Sequence, residues 1–292
     1  MIDAHQHFWT LARGDYAWLT PDLSALYRDF GPRDLTPHLD AAGITHSVAV
    51  QAAASVAETR FLIDLAERNE RIAGVVGWVD LADPGVEATL DELVAHPVLR
   101  GIRPMIQDIA DDDWMLGPAV ARGLRALASR GLCFDALVKP RHLTRLRTLL
   151  ERHPDLRVVI DHAGKPDIAG ARLTDWSRDL AQIARETSAC CKLSGLVTEA
   201  RVDWQIDDLR PVAEALLESF GCGRLMWGSD WPVVDLAGGF ARWRESSLVL
   251  LEGLDDAARD GILGDTARRF YGLDLDRSAA RDRRDPERTA CR

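Results

Sequence analysis

Lysine is nearly absent from this chain. Lys139, Lys165 and Lys192 are the only lysines among 36 basic residues, and 46 acidic residues leave a net charge of −10. A protein whose main work is binding nucleic acid needs a basic face for phosphate, so that class is excluded and no nucleic-acid partner is expected. Cysteine is sparse and badly placed for bridging: of the five, Cys190 and Cys191 are adjacent, and no Cys-x-x-Cys occurs. That excludes a disulfide framework and a zinc knuckle, and reads as reduced thiols of a cytoplasmic protein. No apolar run approaches the ~20 residues of a membrane span. The start, Met1-Ile2-Asp3-Ala4-His5, has neither a basic nor an apolar leader region, so no signal peptide is expected. Also missing is the glycine-rich turn that a dinucleotide-binding fold carries after its first strand.

In place of that turn stands His5-Gln6-His7-Phe8-Trp9. Short apolar runs at 2–8, 47–52, 72–79, 99–105, 132–138, 156–162, 190–196 and 224–230 alternate with amphipathic stretches at 58–70, 114–129, 141–151, 174–187, 206–220 and 257–270. Runs without polar alternation read as strands buried on both faces. Strand–helix alternation implies a parallel sheet, and eight such units predict a closed (β/α)8 barrel, an α/β fold, as a single domain over 1–275. The segment 9–32 is a long aromatic connection after the first strand, and such loops carry function. Residues 276–292 are charged and poor in apolar side chains, which predicts a disordered tail.

Three motifs carry chemistry. On a strand, His5 and His7 share a face and project together into the barrel mouth. Asp230, in Gly228-Ser229-Asp230-Trp231-Pro232, ends the eighth run. Acids there read as catalytic, although Asp230 alone is equally a helix cap. In a closed barrel the eighth strand lies beside the first, which brings Asp230 to the histidine pair. His162 ends the sixth run in Asp161-His162-Ala163-Gly164-Lys165-Pro166, and its plainer reading is a satisfied core histidine.

These motifs, with Cys191-Lys192-Leu193-Ser194-Gly195-Leu196 and Asp15-Tyr16-Ala17-Trp18-Leu19, resemble the amidohydrolase-2 branch of the amidohydrolase superfamily over about residues 1–272. Within it the chain looks most similar to sugar lactonases of the L-fuconolactonase and L-rhamnonolactonase type. The resemblance implies a metal-dependent-hydrolase barrel in which His5, His7 and His162 surround a substrate carbonyl. Asp230 acts as general base on water, and Arg103 binds a substrate oxygen. Superfamily members usually hold a zinc-like ion with the histidine pair and the last acid, here His5, His7 and Asp230. A binuclear site needs a bridging lysine and further histidines, but Arg103 and Asp135 stand at those strands. Related lactonases work without metal. Two expectations are therefore carried: no required cofactor, or one divalent ion.

A dicarboxylic substrate calls for several arginines, whereas only Arg103 stands at a strand end. Gln51, Gln107 and Asp135 offer partners for hydroxyls. Trp9, Trp18 and Trp231 offer walls for a sugar ring, Lys165 and Lys192 either bind substrate or pair with carboxylates, and Trp227 reads as core. The expected function is hydrolysis of a small-molecule aldonolactone in carbohydrate catabolism. The alternatives are a mononuclear metal-dependent decarboxylase or dicarboxylic-lactone hydrolase, and a non-catalytic sugar-binding barrel. An oligomer stays open.

Overall fold

A computed structural model describes residues 1–276; the expected tail, from 277 on, lies outside the described residues. The strands are β1 (Ile2–Gln6), β2 (His46–Val50), β3 (Ile72–Gly77), β4 (Leu99–Ile102), β5 (Cys133–Ala136), β6 (Val158–Ile160), β7 (Cys190–Leu193) and β8 (Leu225–Trp227). They pair in sequence order, every pair parallel. Parallel neighbours need a long crossover, and helices supply it: α1 (Pro32–Ala41), α2 (Val56–Arg68), α3 (Val86–Leu93), α4 (Pro118–Ser129), α5 (Leu143–Arg152), α6 (Thr174–Glu186) and α7 (Ile206–Phe220). After β8 come α8 (Gly239–Leu250), α9 (Asp256–Asp260) and α10 (Thr266–Tyr271). The barrel closes just past the strands, where Gln6 bridges Trp231 in parallel. The His7 amide donates to the Trp231 carbonyl (2.7 Å) and the Asp230 amide to the His5 carbonyl (2.8 Å). This is the (β/α)8 fold expected from the alternating runs.

The helices follow from local chemistry. Ser55 caps α2 by accepting the Glu58 amide at 3.0 Å, and Leu62, Ile63 and Ala66 turn inward. In α5, Leu143, Leu146, Leu149 and Leu150 form the buried stripe. The expected helix at 114–129 begins later, because Pro118 sets its first turn after a break at Gly117. The expected helix at 257–270 is three pieces: α9, a π-turn at Gly261–Asp265, and α10. At Gly264 the backbone packs beside β1, where a Cβ would stand in ordinary contact with the Ile2 nitrogen at 3.4 Å. Helices α1, α3 and α8 were not picked out by pattern: α1 contains Pro37, α3 has eight residues, and α8 follows Gly238-Gly239.

The largest apolar cluster fills the layer between strands and helices. A second one joins Ile2, Ala4, Val48, Val50, Val159 and Met226 to Tyr271 and Leu273 from the end of the described chain. Tyr271 therefore belongs to the barrel itself.

Candidate active site

The site is assembled where β1 meets the segment after β8. The buried Asp3 carboxylate accepts the Ser229 amide (2.9 Å), the Ser229 hydroxyl (2.6 Å) and the His5 amide (3.1 Å). Burial pushes its pKa up to about 6 against those three donors. This clamp holds Asp230, whose φ of 57° turns it out of the strand path toward the mouth. His7 donates from Nδ1 to the Val50 carbonyl at 2.8 Å, which turns its Nε2 to the mouth. That Nε2 lies 3.2 Å from Asp230 Oδ1 and 3.2 Å from His5 Nε2, and His5 Nε2 lies 3.7 Å from Asp230 Oδ1.

His162 comes from a tight turn after β6. Its φ is 52°, and Ala163, Gly164 and Lys165 are left-handed too. The three that are not glycine are costly there and persist only where the surroundings fix them. Nδ1 of His162 lies 2.9 Å from the Ser194 hydroxyl, and Nε2 lies 3.8 Å from Asp230 Oδ1. Two glycines make room for the imidazoles. A Cβ on Gly195 would stand 2.4 Å from His162 Nδ1, and one on Gly228 would stand 2.6 Å from the His5 Cβ.

Burial lowers the pKa of His162 to about 4. His5 falls well below the ordinary range, through burial first and the neighbouring Lys192 second. Both rings are neutral at neutral pH. Burial by itself would raise Asp230, but the surrounding His162, His7 and His5 outweigh it and hold the carboxyl below its usual range. That direction makes Asp230 the ionised member of the cluster at neutral pH.

Three ligand-type atoms thus face one another with too few protons between them. A tetrahedral zinc with bonds of ~2.0–2.1 Å would set its ligand atoms roughly 3.3 Å apart. The triangle of 3.2, 3.2 and 3.7 Å formed by His5, His7 and Asp230 fits that face. The donor set therefore suits a divalent ion.

The mouth opens into a pocket of about 320 Å³. His7, His162, Asp230, Arg103, Gln107, Lys165 and Trp18, all expected as site residues, line it together; His5 lies fully buried behind them. Trp18 donates from Nε1 to the Ala52 carbonyl at 2.8 Å, and Lys165 pairs with Glu199 at 3.2 Å. Arg103 donates to the Gln51 carbonyl and reaches Asp161 and His5 Nε2, each at 3.4 Å from Nη1.

Four expected substrate contacts, Trp9, Gln51, Asp135 and Trp231, lie outside the lining of this pocket. Trp9 is fully buried, bridged to Phe30 and bonded from Nε1 to the Arg28 carbonyl, so it backs Trp18 edge-on at 5.5 Å. Trp231 packs against Phe8 and Phe30. Gln51 spends its amide on the Arg103 carbonyl at 2.6 Å. Asp135 accepts from Lys192 and Tyr271, each at 2.6 Å. Trp227, read as core, is buried and bonded to Ser247.

Sequence reasoning missed Asp161, Ser194, Tyr271 and the pocket residues Met105, Asp108, Leu137 and Val233. Asp161 and Ser194 lie inside quoted motifs, so a strand-parity argument could have found them. Tyr271 carried no signal.

A barrel with one histidine on β1 and one just after it, one after β6 and an acid after β8 defines a hydrolase of amidohydrolase type. The amidohydrolase family model matches residues 2–273, and the chain belongs to that family. It is 44% identical over 279 residues to an L-fucono-1,5-lactonase of Burkholderia ambifaria, covering 94% of this chain and 96% of that protein. It is 39% identical to an L-fucono-1,5-lactonase of Burkholderia multivorans, covering 93% and 96%. A crystal structure of an amidohydrolase from B. multivorans with bound zinc superposes with a TM-score of 0.88 at 39% identity, covering 94% and 99%.

Proposed function

We propose that this chain hydrolyses a sugar-acid lactone. The observation that carries the proposal is the ionised Asp230 beside two neutral imidazoles at the wall of a sugar-sized pocket, in a chain so similar to two lactonases. The lactone carbonyl faces His5, His7 and Arg103. Water is held by Asp230, whose carboxylate takes its proton as the oxygen attacks the carbonyl carbon. Arg103 and the Nε2–H of His5 stabilise charge developing on the carbonyl oxygen. The ring C–O bond then breaks, and the ring oxygen leaves as a hydroxyl after taking that proton through Asp230 or His162. The product acid ionises and releases one proton to solvent.

A lactone is an activated ester, so a base worth ~10²–10⁴-fold and donors worth ~10²–10³ each supply a useful rate. His5, His7 and Asp230 are the residues that would hold a divalent ion, which when bound polarises a carbonyl and acidifies water. Gln107, Asp108 and Lys165 offer partners for sugar hydroxyls, and Met105, Leu137, Val233 and Trp18 offer apolar walls. Arg103 is the arginine lining the pocket, which disfavours a dicarboxylic substrate. The free thiols of Cys133, Cys190, Cys191 and Cys222 support a cytoplasmic setting, and among the described residues no helix is long and apolar enough to cross a membrane.

An indicator assay across a panel of aldonolactones tests the reading, because each ring opening releases a proton. Turnover of at least one six-carbon lactone is expected, with kcat/KM above about 10⁴ M⁻¹s⁻¹. Binding of such lactones without proton release would instead leave a sugar-binding barrel.

A further inference from the structure

Beneath His5 lies a closed set of buried charges. Lys192 on β7 is fully buried. Its Nζ lies 2.6 Å from Asp135 Oδ2, 2.8 Å from Asp161 Oδ1 and 3.1 Å from His5 Nδ1. An ammonium has three protons, and here it meets three acceptors. Tyr271 braces the arrangement from α10, its hydroxyl donating to Asp135 Oδ2 at 2.6 Å. One proton is donated to Asp135 and another to Nδ1 of His5, which can only accept from an ammonium, while Asp161 is paired to the same charge at 2.8 Å. A neutral imidazole that accepts at Nδ1 carries its proton on Nε2. Nε2 is the atom that faces His7, Asp230 and the pocket wall.

We propose that Lys192 is a positioning residue that holds His5 as the Nε2–H tautomer and so makes it a hydrogen-bond donor to the reacting oxygen. Without Lys192 the nearest acceptor of an Nδ1 proton is Asp161, at 3.5 Å, and the tautomer reverses. Arg103, 3.4 Å from Nε2, is the longer of the two cationic contacts and has Asp161 as its other acceptor. The donor at Nε2 also occupies the lone pair that a metal needs from His5. Ion binding there therefore requires Nδ1 to take the proton and turn it to Asp161. The assignment to the reacting oxygen rests on the lactonase reading, whereas the tautomer does not.

The test is nitrogen NMR on full-length protein labelled at histidine, with the His5 signals assigned by comparison with His5→Gln. In the parent, a protonated Nε2 and a bare Nδ1 are expected. In Lys192→Met the pattern should reverse or average. A parent signal showing Nδ1–H, or an unchanged tautomer in folded Lys192→Met, overturns the proposal. If that variant does not fold, the parent spectrum still decides, and Tyr271→Phe, which loosens the brace alone, should shift the populations partway. Against lactone, Lys192→Met should lower kcat about 100-fold, as for a lost oxyanion donor, with KM within a few-fold. A Lys192-dependent tautomer in a protein that opens no lactone would sink the function and leave the positioning role intact.

Discussion

The two polar layers that share His5 are built on opposite terms. In the layer below, every charge has its partner: Lys192 lies between Asp135 and Asp161 at 2.6 and 2.8 Å, and Tyr271 donates to Asp135. In the layer above, His7 Nε2 and Asp230 Oδ1 face each other at 3.2 Å, and among the described residues no lysine or arginine pairs with the carboxylate. The lower layer pairs its charges as the chain folds, although Asp135 Oδ1 and Asp161 Oδ1 are buried without a hydrogen bond. The upper one is completed by a proton, an ion or a substrate. The open arrangement at the mouth is kept in place by the paired charges underneath, which is how a preorganised site is supported by its surroundings.

The comparison breaks most sharply with Asp135→Ala. That change leaves the Lys192 ammonium with one carboxylate and the Tyr271 hydroxyl without an acceptor. Removing one member of a buried ion pair typically costs ~3–5 kcal/mol, and urea unfolding should show a loss of that size. A loss below about 1 kcal/mol would mean that the lower layer is hydrated rather than closed.

Asp230→Asn should strike turnover first. The amide keeps the shape but accepts no proton, so kcat should fall by at least ~100-fold. Stability should fall as well, because a carboxyl held below its usual range favours the folded state in its ionised form. Steady-state kinetics beside urea unfolding checks both. A folded variant with kcat within a few-fold of the parent would pass the role of base to His162.

The mouth was far more legible in the sequence than the layer beneath it. His5 and His7 follow from strand parity, and Asp230 follows from barrel closure, which turns a long sequence separation into adjacency. The lower layer has no such rule. Lys192 and Asp135 lie on β7 and β5 and Asp161 directly after β6, and only the closed barrel brings the three together. The Val50 carbonyl that orients His7 is backbone, and no residue type announces it. Trp9 and Trp18 looked equivalent in one aromatic segment. The antiparallel bridge from Trp9 to Phe30 buries the first, while Trp18 remains 37% exposed at the pocket. Register in irregular chain, not composition, separates a wall from its backing.

The smallest effect expected concerns Glu58, which holds part of the mouth from outside both layers. Its carboxyl accepts the amides of Ala52 (2.9 Å to Oε1) and Ala53 (2.8 Å to Oε2), and Ala52 in turn accepts from Trp18. Burial pushes its pKa up to about 7, against the opposing pull of those amides, Arg103 and Tyr16. The unfolded chain loses this proton near pH 4.5, and the folded chain keeps it until about 7. Between those values the native state holds more protons, so stability falls as pH rises and the contribution is complete only below about 4.5. Glu58→Gln fixes the neutral form with an amide oxygen still able to accept. Near pH 5 the variant should differ from the parent by less than ~1 kcal/mol, but its unfolding midpoint should lose this share of the decline toward neutrality. If parent and variant decline in parallel across that window, Glu58 is ionised throughout, and a carboxylate rather than a carboxylic acid holds the Trp18 wall.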